Sequence, residues 1–291
     1  MKKILITGAN SYIGVNVENW LTKCSGKYSV ETIYLIKASW REKDFCVYDV
    51  VYHVAGIAHS DNGKISPEKE KLYRSINTDL TIDVAKKAAA EGAKQFIFMS
   101  SAIVYGDSAP LGKTKIIKAD TQPTPNNCYS DSKWQAELGL KEVEKNSAMK
   151  VCVLRPPMIY GKGSKGNYPV LAKFAQKLPI FPKVNNTRSM LYIENLCEFV
   201  RLMIENEEQG VFWPQNKEYS NTTEIVKLIA NAHGKNIKTT GIFNWGLFIL
   251  RLGTGLVDKA FGSLAYDQKL SEYKEEYRVV NLEESIRRTE S

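Results

Sequence analysis

The segment CYSDSKWQAE (128–137) places a phenol and an ammonium four residues apart, Tyr129 and Lys133. On a helix, positions i and i+4 share one face, so the two side chains stand together. A free phenol has a pKa of about 10, too high for a base at neutral pH. A neighbouring cation favours the phenolate and moves the group toward proton transfer. The same spacing also arises by accident on a charged helix, and the pair alone does not separate the two readings. The elements that position it must do so.

Those elements begin with a strand that runs into a glycine-bearing turn. KILIT (3–7) leads to GANSYIG (8–14), and the helical pattern VNVENWLTKC (15–24) follows. A loop that holds a dinucleotide needs a tight turn, close backbone approach to the pyrophosphate, and close helix–strand packing. Gly8 and Gly14 supply the first and the last. Ser11 stands at the middle position, small enough to preserve the approach and able to donate its hydroxyl to phosphate. The helix N-terminus favours the anion. Gly8, Asn10, Ser11, Tyr12, Ile13 and Gly14 are therefore the expected cofactor loop, with a plain strand–turn–helix as the alternative. An acidic residue about 20 positions beyond such a loop binds the ribose 2′-hydroxyl and selects NAD. Here Tyr34, Leu35, Ile36 and Lys37 occupy that zone and Arg41 follows. Lys37 and Arg41 are expected to meet a 2′-phosphate, which favours NADP slightly over NAD; the alternative is that both are surface charges.

Further apolar runs read as strands: TIYLI (32–36), VVYHVAG (50–56), KQFIFMSS (94–101) and KVCVLRPP (150–157). Helical patterns cover about 72–91, closed by Gly92, and 129–144. Strands alternating with helices give an α/β fold with a doubly wound parallel sheet of the Rossmann kind. The runs are apolar on both faces, as strands covered from both sides must be. After residue 157 the texture changes. GKGSKGN (161–167) reads as a flexible loop, RSMLYIENL (188–196) as strand turning into helix, and 221–232 as a helix. Residues 1–157 are thus expected to form the dinucleotide-binding domain and 158–291 a smaller α/β substrate lobe, with an interleaved boundary.

Composition narrows the classes. The 291 residues are 43% hydrophobic and 25% charged, which suits a packed globular chain rather than a disordered one. The formal net charge of +8 is scattered, with runs such as EKEK (68–71) mixing both signs. No basic stripe interleaved with aromatics occurs, so nucleic acid is not the expected partner; a phosphate-bearing small substrate fits the charge better. Five cysteines without a CxxC suggest neither a disulfide framework nor a metal site, and point to a reducing compartment. The start MKKILITGAN enters a strand with no secretory pattern, and no run is apolar enough to span a bilayer, so a cytoplasmic location is expected. The stretch 241–262 is locally apolar and reads as helices packing on the second lobe, or as a face for peripheral membrane or partner docking.

Taken together, ITGANSYIG, VVYHVAG, SINTDL, FIFMSSAIVYGD, YSDSK, LRPPMIYG and RSMLYIENL occur in an order that resembles the extended short-chain dehydrogenase/reductase superfamily, of the NAD-dependent epimerase/dehydratase type acting on nucleotide sugars. The resemblance spans about residues 1–200. It implies that YSDSK is the Tyr–x–x–x–Lys pair. Tyr129 would exchange a proton with a sugar oxygen, and Lys133 would support it and bind the nicotinamide ribose. It further implies that Ser101, rather than its neighbour Ser100, hydrogen-bonds the same oxygen, that Asn77 and Ala55 lie near the cofactor, that Arg188 pairs with the nucleotide diphosphate, and that Asn167 contacts the nucleotide. Two departures stand out. Ser101 is followed by Ala102 and Ile103, so the acid that dehydration requires is missing, and Met158 takes the place of a substrate-touching Asn in the R-x-x-N-x-x-G pattern. A closer likeness, through GNYPVLAKFAQKLPIFP and AFGSLAYD, is to bacterial capsule and O-antigen enzymes that reduce a UDP-4-keto-6-deoxy-N-acetylhexosamine at C4. The alternatives are a UDP-sugar 4-epimerase retaining NAD and, from another class, a non-catalytic dinucleotide sensor. Relatives often dimerise through helices corresponding to 72–91 and 129–144, so a homodimer is an expectation.

Overall fold

The computed structural model describes residues 1–36, 38–58, 66–242, 244–247 and 256–291. The chain divides into two compact units, each assembled from three segments: 1–106, 122–156 and 196–214 in unit 1; 107–121, 157–195 and 215–291 in unit 2.

Unit 1 is built on a six-stranded parallel sheet. Its strands are β1 (Lys2–Thr7), β2 (Tyr28–Ile33), β3 (Val50–His53), β4 (Gln95–Met99), β6 (Lys150–Leu154) and β10 (Gly210–Phe212), in the order β10-β6-β4-β3-β1-β2. The four inner strands β1, β3, β4 and β6 read as near-continuous apolar runs because helices cover both faces. Leu5, Val51, Phe96, Phe98, Val151 and Val153 pack with residues of the flanking helices in one core. Those helices are α1 (Tyr12–Thr22), α2 (Pro67–Tyr73), α3 (Leu80–Ala90) and α4 (Cys128–Lys145). The reversal of strand order on either side of β1 and β3 is the switch point where such sheets bind ligands at their carboxyl ends.

Two expectations change in detail. The second strand ends at Ile33 rather than running from Thr32 to Ile36. The Ile33 carbonyl accepts from the N–H groups of both Gly8 and Ala9, at 2.9 and 3.0 Å, and the chain then leaves the sheet. The helix expected over 72–91 begins at Pro67 and contains a π-helical turn, Arg74–Asp79, between α2 and α3. Ser66 caps α2 by accepting from the Lys69 N–H at 3.4 Å, and Pro67, with its preset φ, occupies the first turn.

Unit 2 carries three two-stranded parallel pairs. β5 (Ile116–Ile117) pairs β12 (Ala265–Tyr266), β7 (Met158–Tyr160) pairs β9 (Met190–Tyr192), and β8 (Ile180–Pro182) pairs β11 (Lys238–Thr240). Around them lie α5 (Tyr168–Lys177), α7 (Thr222–Ala232) and the C-terminal helix Leu282–Glu290. Helix α6 (Ile193–Glu205) follows β9 directly. The stretch 241–262 is described only at 241–242, 244–247 and 256–262; Lys37 and the rest of that stretch lie outside the described residues.

Candidate active site

The turn after β1 is shaped by what its glycines exclude. Gly8 has φ +99°, and a Cβ there would sit 2.9 Å from the Ala55 backbone nitrogen. Gly14 lies in the first turn of α1, where a Cβ would fall 2.7 Å from Ser11 Oγ and 3.3 Å from Val54 Cγ2. Both positions therefore bring the turn tightly against the residues after β3. Ser11 is the N-cap of α1: its Oγ accepts from the Gly14 N–H at 3.1 Å and keeps a hydroxyl proton to donate. Tyr12 and Ile13 open the helix, so the positive end of its dipole faces the turn. The cradle fits a dinucleotide pyrophosphate.

One feature of this turn was hidden in the sequence. Asn10 takes φ +61°, a left-handed conformation that Asn tolerates better than most residues, and its amide donates to the Tyr34 hydroxyl. Beyond β2 a hollow of about 310 Å³ is lined by Thr32, Ile33, Tyr34, Ser39, Trp40 and Lys43. Arg41 sits at its border, stacked 4.5 Å from the Trp40 ring centre and paired with Asp83 at 3.1 Å. Both partners are about half exposed, and such a surface pair is weak enough for a phosphate to compete with it.

Tyr129 and Lys133 stand on α4. Asn127 caps the helix, accepting from the Ser130 N–H at 2.9 Å, while Ser130 Oγ accepts in return from the Asn127 N–H at 3.1 Å. This double cap fixes the first turn, where Tyr129 lies. Lys133 is 6% exposed, and its ammonium donates to the Met99 carbonyl at 2.8 Å, tying α4 to the end of β4. Burial draws the Lys133 pKa down to about 8, with Glu137 pulling the other way. Burial also pushes Tyr129 up to about 12, partly offset by its hydrogen bond with Ser101. Ser101 accepts from the Ile103 N–H at 3.3 Å at the start of a short 3₁₀ turn. Ser100 points elsewhere: its hydroxyl donates to Glu137, which is buried in a bidentate pair with Arg155.

Asn77 lies in the π-helical turn, fully buried. Its Oδ1 accepts from the Ile57 N–H at 2.9 Å, and its Nδ2 donates to the Ile57 carbonyl and to Ser132 Oγ, each at 3.0 Å. It clamps the loop after β3 to α4. A Cβ on Gly56 would lie 3.0 Å from Asn77 Oδ1 and 3.4 Å from Lys133 Nζ, so loop, amide and ammonium converge. The wider turn of a π-helix places the amide where a regular helix would not. Behind it runs a polar chain that composition does not reveal. Thr81 Oγ1 donates to the Asn77 carbonyl at 2.8 Å, so His53 Nε2 must donate to Thr81, at 3.0 Å, and His53 Nδ1 must accept from Thr7, at 2.8 Å.

In unit 2, Asn167 is exposed immediately before α5 and makes no side-chain cap. Arg188 is largely withdrawn from solvent: its Nη1 donates to the Ala260 carbonyl at 3.0 Å, and burial lowers its pKa. Its backbone is bridged to Ser220 in both directions, each at 2.9 Å.

The doubly wound sheet is shared with proteins of known structure, and the sequence has relatives along most of its length. A UDP-glucose 4-epimerase from Vibrio cholerae is 31% identical over 91% of this chain and 87% of its own length. An N-acetyl-α-D-glucosaminyl-diphospho-ditrans,octacis-undecaprenol 4-epimerase from Escherichia coli O157:H7 is 30% identical over 65% of this chain and 56% of its own. The crystal structure of UDP-glucuronic acid 4-epimerase from Bacillus cereus in complex with NAD shares the fold, with a TM-score of 0.74, 18% identity, and coverage of 98% of this chain and 96% of that one. Residues 4–213 match the NAD dependent epimerase/dehydratase family, and the chain belongs to that family of NAD(P)-dependent enzymes.

Proposed function

We propose that the chain is an NAD(P)H-dependent reductase of a nucleotide-diphosphate 4-keto sugar, a UDP-4-keto-6-deoxy-N-acetylhexosamine used in surface polysaccharide synthesis. The observation that carries this reading is the arrangement of Tyr129 hydrogen-bonded with Ser101, one helical turn from a Lys133 ammonium anchored on the Met99 carbonyl at the end of β4. A nicotinamide cofactor bound in the Gly8–Gly14 cradle supplies the hydride. The chain's own groups handle the oxygen. Tyr129 gives its proton to the C4 oxygen as the carbonyl becomes an alkoxide, and Ser101 donates a hydrogen bond to the same atom. Lys133 stabilises the phenolate left behind and is the group placed to hold the nicotinamide ribose. Gly8, Asn10, Ser11, Tyr12, Ile13, Gly14 and Ala55 form the pyrophosphate cradle, which Asn77 steadies through Ile57; Arg41 borders the ribose end. In unit 2, Arg188 is the proposed partner of the nucleotide diphosphate and Asn167 of the nucleotide. Leu72 and Leu138 remain exposed on the helical stretches 72–91 and 129–144 that are proposed to pair in a homodimer.

A second reading, a UDP-sugar 4-epimerase that keeps its NAD, is favoured by the name of the Vibrio cholerae relative. The same residues serve it, with Tyr129 first as base and then as acid. One experiment separates the two: the loss of reduced nicotinamide absorbance with UDP-4-keto-6-deoxy-N-acetylglucosamine, with UDP-galactose and UDP-N-acetylgalactosamine in parallel. Stoichiometric oxidation of NADPH or NADH on the keto sugar supports the reductase. Interconversion of C4 epimers without added cofactor replaces it with the epimerase.

A further inference from the structure

The charge that looks scattered along the sequence is gathered in unit 2. The α5–β8 segment, 168–183, contains three lysines and no carboxylate; the β11 segment, 234–247, contains two more and again no carboxylate. These segments are adjacent. β11 pairs β8 with Lys238 opposite Ile180. The Lys235 ammonium donates to the Gln176 carbonyl at 2.6 Å, and Asn244 Nδ2 donates to the Lys183 carbonyl at 2.8 Å. A hollow of about 350 Å³ between the end of α5 and residues 235–237 joins them into one surface.

Apolar side chains project from the same elements. Helix α5 buries Tyr168, Leu171 and Ala175 and leaves Val170, Phe174 and Leu178 exposed at i, i+4 and i+8. Ile180 is exposed on β8, and beyond β11 Ile242 and Trp245 are 75% and 67% exposed. Isolated exposed apolar residues need no explanation, but a cluster edged by lysines does. Lysine is depleted from protein–protein interfaces, whose cores favour uncharged side chains. Tryptophan and aliphatic anchors within a lysine rim suit the boundary between lipid headgroups and acyl chains, especially where the lipids are anionic. Among the described residues no helix is long and apolar enough to cross a membrane.

We propose that this face of unit 2 docks on an anionic lipid surface. Trp245, Ile242, Phe174 and Leu178 enter the headgroup boundary, while Lys173, Lys177, Lys183, Lys235 and Lys238 meet lipid phosphates. The proposal rests on the patch alone and stands whether the enzyme reduces or epimerises its sugar.

The test is co-sedimentation of the full chain with phosphatidylcholine vesicles, with and without phosphatidylglycerol. Binding is expected only to the anionic vesicles and should weaken as salt rises. The pair Lys177→Glu and Lys238→Glu should reduce it at least ~10-fold, and Trp245→Ser about 5-fold, each lysine near such a surface contributing about 5-fold. Sugar turnover in solution and melting temperature should be unchanged in these variants, which shows that they fold. Equal binding to neutral and anionic vesicles, or no binding, overturns the proposal. So does a concentration-dependent dimer that Trp245→Ser dissolves, which would assign the patch to a second copy of the chain.

Discussion

Tyr129 and Lys133 shift in opposite directions for one reason: a buried site disfavours charge on either group. The phenol is held as an acid, which suits donation to a nascent alkoxide. We expect Tyr129→Phe to lower kcat by about 10²–10⁴-fold while cofactor affinity, read by fluorescence titration, stays within about 3-fold. Ser101→Ala should cost less, because it removes one hydrogen bond and leaves the proton donor. The lysine sets the pH dependence. With its pKa drawn down to about 8, Lys133 is a cation below that pH and neutral above it. Reduction should therefore hold steady from about pH 6 to 7.5 and fall above about 8 as the ammonium is lost. An ascending limb instead, with turnover rising as the phenol ionises, would mark Tyr129 as a base and favour the epimerase.

The elements hold these groups through two buried polar assemblies, and each makes its own prediction. Arg155 and Glu137 are 7% and 5% exposed in their side chains, and Arg155 Nη1 also donates to the Tyr105 hydroxyl at 2.6 Å. Removing one partner leaves a charge stranded, so Arg155→Met should destabilise unit 1 by about 3–5 kcal/mol in urea unfolding. Glu137→Met together with Arg155→Met should recover much of that loss. The second assembly is the Thr7–His53–Thr81–Asn77 chain. Burial keeps His53 neutral, its pKa lowered to about 3 from the usual range near 6.5. The unfolded chain binds a proton there as pH falls through about 6.5 and the folded chain does not, so stability falls with acidity. The expected loss between pH 7 and 5 is about 2 kcal/mol, and His53→Asn should flatten that part of the curve. Neither assembly is legible in the sequence, where His53 and Glu137 look like any polar residue in an apolar run or on a charged helix. What is legible follows from burial on two sides. The inner strands announce themselves as unbroken apolar runs. β2 does not, because it forms the sheet edge: YSVETI alternates, with Glu31 turned outward to Lys43, and the more apolar TIYLI continues three residues past the end of the strand. The juxtaposition of Tyr129 with Lys133 and the turn between Gly8 and Gly14 are legible because they depend on local spacing; the Asn10–Tyr34 contact joins the ends of two different strands and is not.

At the scale of the whole molecule, the chain crosses between its units several times, and one return crossing completes the sheet. Residues 196–214 belong to unit 1. Within that unit β10 closes the edge of β6, with Gly210 opposite Cys152 and Phe212 opposite Leu154. Helix α6 contributes Leu196, Val200, Met203 and Ile204, all buried to within 1% of complete exclusion. It is tied down by Lys2 Nζ on the Ile204 carbonyl at 2.8 Å, Gln95 Nε2 on the Met203 carbonyl at 2.9 Å and the Tyr28 hydroxyl on Glu205 at 2.6 Å. A fragment ending at residue 157 keeps the cradle, Ser101, Tyr129 and Lys133, yet it exposes the β6 edge and the surface that α6 covers. Exposing even four large apolar side chains costs about 6–12 kcal/mol, comparable to the whole stability of a domain. We therefore expect residues 1–157 alone to lack a cooperative thermal transition and near-ultraviolet dichroism, and to bind no cofactor. Joining 196–214 to that fragment through a flexible linker should restore the transition and cofactor binding without sugar turnover. A cooperative melt from 1–157 by itself would show that the first two segments of unit 1 fold without the returning one.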